Sequence, residues 1–281
     1  METQFVQFRD QQKEMWNRFS SGWRKWDDLT MEFLMPIGNE IIRLLEPGGV
    51  DMVLDVASGT GEPGLTIAAK LVGGMVVITD IAEKMLEVAG ENAARRHITN
   101  LNFITSDVSA LPFADNSFDK ISCRLGFMFF PDMALAAKEM ARVLKPGGKI
   151  ATAVWTQPEE NIWASEILRS INKYIILPPP LPGAPGLFRC AKKGLIADLF
   201  RDAGLKNVSE NEVRSKQVYG TKEVYWEYMT EVVAPVVAAL SKADENVKSK
   251  VRSEVFDYID KNYSEGRLAF DSGARVIYGE K

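Results

Sequence analysis

The sequence predicts an α/β fold built on a Rossmann-like, doubly wound sheet. Three observations lead there. The run Val53-Leu54-Asp55-Val56 is apolar except for one acid, and it opens into the small-residue turn Ala57-Ser58-Gly59-Thr60-Gly61. A helical pattern follows at once, with Leu65, Ile67, Ala68, Ala69, Leu71 and Val72. Beyond it, short apolar runs alternate with helical stretches, the signature of parallel strands joined by crossover helices.

The elements follow in order. Residues 1 to about 28 predict a helix with Trp16, Phe19, Trp23 and Trp26 on one face, since residues three and four apart stack along a helix. A second helix, about 31–45, ends at Pro47-Gly48-Gly49. Strands are expected near 52–56, 75–79, 101–105, 119–124 and 148–154, and helices near 62–71, 83–94, 133–144 and 192–203. Lys145-Pro146-Gly147-Gly148 reads as a structural turn into the fifth strand, with glycine free to take conformations closed to other residues. The stretch 156–191 interrupts the alternation, with a helix at Ile162–Tyr174 and a stiff proline-rich loop from Leu177 to Gly186. Long loops in compact domains tend to be functional, and this one is read as a lid. A sixth strand is expected at 207–219, a helical insertion at about 221–263, and a last strand from Arg267 to Tyr278. The organisation is thus an N-terminal helical cap (1–46), a core (47–155), a lid insertion (156–191), and the end of the core with its helical insertion (192–281).

The loop itself specifies a ligand chemistry. Ala57, Ser58, Gly59 and Gly61 let the backbone approach a ligand closely, at a turn where a helix begins. The spacing departs from the G-x-G-x-x-G dinucleotide fingerprint, because Ala57 stands where its first glycine would be. Asp55 precedes the glycines; a carboxylate there repels a pyrophosphate but accepts from an ammonium group. A cationic, phosphate-free ligand such as S-adenosylmethionine (SAM) fits, with Asp55 reading its amino group and the loop backbone its methionine half. Asp80, at the end of the second strand and about 20 residues past the loop, stands at the distance where an acid meets ribose hydroxyls.

Five pieces occur in sequence: DVASGTG at 55–61, ITDIAEKML at 78–86, SDVSALPFADNSFD at 106–119, SCRLGFMFFPD at 122–132 and EMARVLKPGGKIATAVW at 139–155. On these, the segment from about 53 to 154 resembles the class I SAM-dependent methyltransferases, in particular the small-molecule branch that includes the ubiquinone/menaquinone-biosynthesis C-methyltransferases. The resemblance implies a seven-stranded sheet with an antiparallel last strand between the fifth and sixth, helices on both faces, N-terminal helices and a helical lid. It implies that Ile81 and Met85 sandwich the adenine, and that Asp107 accepts from the adenine amino group with the Val108 amide nearby. Arg124, Leu125 and Gly126 would stand beside the sulfonium and carboxylate. Phe127, Phe129 and Phe130 follow them, where an aromatic face would favour a sulfonium. For the acceptor, Trp23, Trp26, Phe127 and Trp155 are the expected contacts. The aromatic and proline-rich roof segments point to a small, partly apolar acceptor.

Composition narrows the alternatives. A formal net charge of −4 argues against a nucleic-acid partner, which calls for a basic surface. No apolar run is long enough to span a bilayer, and no signal peptide is expected at the N-terminus. Two cysteines, Cys123 and Cys190, give neither metal-ligand spacing nor a disulfide framework, which suits a reducing, cytoplasmic setting. The single histidine, His97, falls between Arg96 and Ile98 before the third strand, on the sheet edge away from the ligand, so no general base is assigned. Two other readings remain: a catalytically silent SAM-fold scaffold, and an NAD-dependent oxidoreductase whose fingerprint is missing. Neither the acceptor atom nor the oligomeric state is legible.

Overall fold

The structure is a computed structural model, and it describes residues 2–176, 181, 183–263 and 268–281. Seven strands form one sheet: β1 (Met52–Val56), β2 (Met75–Asp80), β3 (Leu101–Thr105), β4 (Phe118–Arg124), β5 (Leu144–Trp155), β6 (Lys206–Gly220) and β7 (Leu268–Glu280). Their spatial order is β3-β2-β1-β4-β5-β7-β6. β1 through β5 are parallel, and β7 runs antiparallel between β5 and β6. The order reverses between β1 and β4. That crevice, outside the carboxyl ends of the strands, is where such sheets bind ligands.

The central strands are apolar without alternation because they are covered on both faces. Val53, Leu54, Val76, Ile78, Ile121, Ile150, Ala151 and Ala153 are all fully buried. The helices are α1 (Glu2–Lys25), α2 (Asp27–Leu45), α3 (Gly64–Ala68), α4 (Glu83–Arg95), α5 (Met133–Val143), α6 (Ile162–Tyr174), α7 (Leu195–Asp202), α8 (Lys222–Val232), α9 (Ala234–Leu240) and α10 (Glu245–Asn262). α3 and α4 pack on the β1–β3 half, while α2 lies against β4 through β7. α1 bridges α4 and α8.

Two boundaries differ from the sequence expectation. The helix expected over 62–71 is reduced to α3. Its last turn closes with i−3 bonds, Lys70 N–H to Ile67 O (2.9 Å) and Leu71 N–H to Ala68 O (3.2 Å). The amides of Val72, Gly73 and Gly74 then converge on the Gly49 carbonyl at 2.8–3.1 Å, turning the chain back to the sheet. Lys145–Gly148, expected as a turn before the fifth strand, lies inside β5 as a bulge. Pairing steps from Phe118–Leu144 to Lys120–Lys149, and Gly147 at φ 76° supplies the kink. The proline-rich loop falls partly outside the described residues, at 177–180 and 182, as does Arg267, where the last strand was expected to begin.

Candidate functional site

A cleft opens at the C-terminal ends of β1, β2 and β4, and its floor begins with the loop after β1. Ala57 (φ 52°), Gly59 (φ 56°) and Gly61 (φ 109°) are all left-handed. The turn is held by Ser58 N–H donating to Thr79 O (3.0 Å), Gly61 N–H to Ser58 O (2.9 Å), and the Ser58 hydroxyl to Asp55 O (2.8 Å). Ala57, Ser58 and Gly59 line the cleft. Asp55 and Gly61 do not: they lie beneath the loop. Asp55 is fully buried, and its carboxylate accepts from the Ser122 hydroxyl (2.5 Å) and the Gly64 amide (3.1 Å). Burial pushes its pKa up to about 6, against the opposing hydrogen bonds from Ser122 and Ser58 and the nearby Arg124 charge. A Cβ on Gly61 would meet Leu65 at 2.8 Å and Ala89 at 3.2 Å. The acid and the glycine that look like ligand contacts in sequence thus set the shape of the loop.

Asp80 carries the loop's outer edge. One carboxylate oxygen accepts from Gly59 N–H and the other from Ala82 N–H, both at 2.9 Å. Each oxygen keeps acceptor capacity toward the cleft, and burial raises the pKa of the group. Ile81 and Met85 follow it along the wall, and Asp107 and Val108 stand at the end of β3. Asp107 is fixed by accepting from Ser109 N–H at 2.8 Å, capping a short turn. Arg124, Leu125 and Gly126 close the floor. A Cβ on Gly126 would approach Cys123 Sγ (2.7 Å), Phe130 (2.8 Å) and Ala57 Cβ (3.0 Å), so the end of β4 presses directly on the β1 loop.

The roof is aromatic. α1 contributes Trp16 and Trp23, α2 contributes Thr30, Phe33 and Leu34, and α8, Val233 and the start of α9 contribute Tyr228 and Val232–Pro235. Trp155 at the end of β5, Trp163 of α6, Leu187 and Gln217 of β6 complete it. The rings meet edge to face, Trp16 with Phe129 at 5.0 Å and Trp155 with Trp163 at 5.1 Å, the preferred aromatic geometry. Of the four residues expected at the acceptor, Trp23 and Trp155 line the cleft, while Trp26 and Phe127 do not. The Trp26 indole donates to Glu231 at 2.7 Å and ties α2 to α8. Phe127 is fully buried in the core against Phe130 and Phe200. Thr30, Gln217 and Tyr228 escaped the sequence reading. The one local signal in the sequence was at Gln217, which shares strand parity with Val213 and Tyr219; the structure buries it. His97 is exposed at the end of α4, away from the cleft.

Two polar atoms of residues lining the cleft, Gln12 Oε1 and Trp23 Nε1, are buried without a hydrogen-bond partner. A ligand offering hydroxyls and an amine would supply the missing partners, as would be required of a SAM site. Among the described residues no group of three acidic, His or Cys side chains could hold a metal ion, and no helix is long and apolar enough to cross a membrane.

This floor, with Asp80 and Asp107 at the ends of β2 and β3, resembles that of the class I SAM-dependent methyltransferases. Comparison with known proteins agrees: residues 53–148 match the family described as "Methyltransferase domain". An uncharacterised protein of Mycobacterium tuberculosis is 36% identical over 125 residues, 44% of each chain. A demethylmenaquinone methyltransferase of Staphylococcus haemolyticus is 42% identical over 107 residues, 37% of this chain and 44% of that one. The chain thus spans less than half the length of these curated relatives. Among solved structures, a putative methyltransferase from Bacillus halodurans superposes with a TM-score of 0.59 at 18% identity, covering 87% of this chain and 98% of that one; that likeness is one of fold.

Proposed function

We propose that this chain transfers the methyl group of SAM to a small, partly apolar acceptor. The observation that carries the reading is a single cleft with two unlike halves: one of acids and close-approach backbone, the other of aromatic side chains. Bound there, SAM would supply an electrophilic methyl on a sulfonium. Asp80 would receive the ribose hydroxyls on its two remaining lone-pair faces. Ile81, Met85 and Val108 would flank the adenine, with Asp107 at its amino group. The Ala57–Gly59 backbone, the Leu125–Gly126 backbone and the main chain of Arg124 would cradle the methionine half. Asp55, held under the loop, would act through the positions of Gly64 and Ser122 and not by contact.

Methyl transfer from a sulfonium releases a neutral thioether, so no acid is needed to expel it. The main physical contribution is alignment of nucleophile, methyl and sulfur in a site closed to water. The roof residues Trp16, Trp23, Phe33, Trp155 and Trp163 supply that closure. The segment 156–191 would act as part of the lid, through Trp163 and Leu187. The apolar half favours a small molecule over a polymer. The two cysteines are free and buried, which fits a cytoplasmic setting.

Calorimetric titration with SAM and S-adenosylhomocysteine, with NAD as a control, tests the reading. Micromolar binding of both adenosyl ligands and none of NAD is expected. Absence of adenosyl binding would overturn it and favour a scaffold with a methyltransferase fold.

A further inference from the structure

The aromatic half of the cleft is not wholly apolar. Trp23, Gln217 and Tyr228 line it from three elements, α1, β6 and α8. The Trp23 indole nitrogen is buried with no partner among the described residues. The Thr30 and Tyr228 hydroxyls meet at 3.3 Å. Two hydroxyls carry two hydrogens and the bond between them uses one, so the pair keeps one to give. Gln217 is buried. Its carbonyl oxygen accepts from the Tyr219 hydroxyl at 2.6 Å, and its amide nitrogen donates to the Ser272 hydroxyl at 3.4 Å. That leaves the second amide hydrogen without an acceptor among the described residues. Ring packing holds the set together: Tyr219 meets Tyr228 at 5.4 Å and Phe33 at 4.9 Å, so the Gln217 amide is tied to a ring that stands against Tyr228. α1 meets α8 where Gly22 faces Glu231, one residue from Trp23 and one turn from Tyr228.

What each of these groups leaves unspent is a hydrogen. The one orphaned acceptor of the cleft, Gln12 Oε1, lies nearer the N-terminus of α1, next to Lys13, whose pair with Glu83 sets that stretch over the start of α4. The charged side chains lining the cleft belong elsewhere or are already paired. Asp80 and Asp107 stand at the strand ends, Glu62 pairs with Arg96, and Arg9 pairs with Asp10. Arg124 turns its guanidinium beneath α2, to the Met31 thioether at 3.3 Å and beside Gly38. Burial pushes the Tyr228 pKa up to about 12, against the Thr30 hydrogen bond and the Arg124 charge, so the phenol keeps its proton at neutral pH. We propose that Trp23, Gln217 and Tyr228 form a neutral, donor-lined subsite that selects an uncharged carbonyl compound as the methyl acceptor. The inference rests on the methyltransferase reading for the role of that ligand. A carbonyl oxygen accepts on two lone pairs and brings no hydrogen of its own to place, whereas an alcohol does. A carboxylate or an ammonium would enter this half without a counter-charge. A ligand with no oxygen would leave buried donors unpaired, which is the stronger form of rejection.

The test uses ligand-observed NMR titrations of wild type, Tyr228→Phe, Gln217→Met and Trp23→Phe, each with S-adenosylhomocysteine present. The probes are acetophenone, 1-phenylethanol and ethylbenzene, which share a shape and differ in the oxygen. Reading each probe against its own wild-type affinity cancels the different solubilities of the three. Losing one neutral hydrogen bond should weaken acetophenone by roughly 3- to 10-fold in each variant, with ethylbenzene within about twofold and 1-phenylethanol in between. Binding of 5′-methylthioadenosine (the same thioether as S-adenosylhomocysteine without the amino acid) reports that the floor is folded, and a variant that loses it is replaced by the other two. The proposal is overturned if no variant weakens acetophenone, if acetophenone and ethylbenzene weaken together, or if 1-phenylethanol loses as much as acetophenone. It is also overturned if wild type binds S-adenosylhomocysteine but not acetophenone. Failure of the wild-type protein to bind either adenosyl ligand would instead sink the methyltransferase reading, and the acetophenone series on the protein alone would still read the three donors.

Discussion

The floor and the roof of the cleft are built on different terms. The floor comes from consecutive strand ends between Val56 and Gly126, and nearly every bond that shapes it is made by a backbone amide: Gly59 and Ala82 on Asp80, Gly64 on Asp55, Ser109 on Asp107. The roof is gathered from the start, middle and end of the chain, from Gln12 to Pro235. It is held by ring packing and by a few long-range ties such as Trp26 to Glu231. The floor is therefore a rigid receptor of fixed shape, whereas the roof can be repacked without disturbing the sheet. The two should respond differently to substitution.

The largest effect is expected in the floor at Gly61. Its φ of 109° is closed to alanine, and the added methyl would collide with Leu65 and Ala89. Gly61→Ala should cost about 2–4 kcal/mol of stability, read as a drop in the denaturation midpoint, and should abolish tight S-adenosylhomocysteine binding. A stable variant with normal affinity would show that the loop is as adaptable as the roof.

The next effect is a pH dependence located at Asp55. Its folded-state carboxyl titrates near 6, above the ordinary 3.8. The folded chain therefore holds that proton more tightly than the unfolded chain, and above pH 6 the buried charge costs stability, by about 3 kcal/mol. Lowering the pH through 6 toward 4 removes that cost. Asp55→Asn is neutral throughout and preserves the shape, so its stability relative to wild type should fall by about 2 kcal/mol between pH 7.5 and pH 4.5 in urea titrations, since part of the cost persists until the pH passes the ordinary carboxyl value. The roof's link to the floor behaves in the opposite sense. Glu83, paired with Lys13 of α1, titrates near 2, below its ordinary 4.5, and its contribution is lost only as the pH falls through that lower range. A constant difference between Asp55→Asn and wild type across the window would refute the assignment.

Asp80→Ala should act mainly on binding. The variant loses the acceptor for ribose hydroxyls and frees the Gly59 and Ala82 amides, which should weaken S-adenosylhomocysteine by about 1–3 kcal/mol. Unchanged affinity in calorimetry would remove the ribose role and leave Asp80 a loop brace like Asp55.

What the sequence made legible follows the same division. The floor's strands and acids are local patterns: an apolar run, an acid, small residues and a helix start can be read from a dozen adjacent letters. Even there, sequence cannot tell an acid that faces the ligand from one that faces the loop. Asp55 and Asp80 each stand at the carboxyl end of a strand, Asp55 one residue before the end of β1 and Asp80 last in β2, yet only Asp80 lines the cleft. The roof is legible only as composition. The helical face of Trp16, Trp23 and Trp26 was clear, but α1 ends at Lys25 and α2 begins at Asp27, so Trp26 turns to Glu231 instead of following Trp23 into the cleft. Thr30, Gln217 and Tyr228 meet across nearly 200 residues (Thr30 and Tyr228 stand 198 apart), and no local pattern announces such a meeting.

The last prediction tests the roof on its own terms. Gly22, in the last turn of α1, packs so closely on α8 that a Cβ would run into the Glu231 carbonyl oxygen. Gly22→Ala therefore sets two effects against each other. Alanine favours the helix by up to about 1 kcal/mol over glycine, while the collision with backbone pushes α1 away from α8 and weakens the Lys25 and Trp26 ties to Glu231. The net loss of stability should be small, about 1 kcal/mol, because α1 can shift where the Gly61 loop cannot. The exchange of α1 amides should rise well beyond what that small loss implies, since the helix opens locally while the sheet stays folded. Affinity for methylthioadenosine, which rests on the floor, should change by less than the Asp80→Ala loss. Hydrogen exchange and calorimetry on the same variant separate the two possibilities. Faster exchange confined to α1 and α8, with adenosyl binding retained, means that the roof is an independent cover over a rigid receptor. Exchange that rises equally in β1 and β2 would mean that floor and roof unfold as one unit, and that their difference in construction has no energetic counterpart.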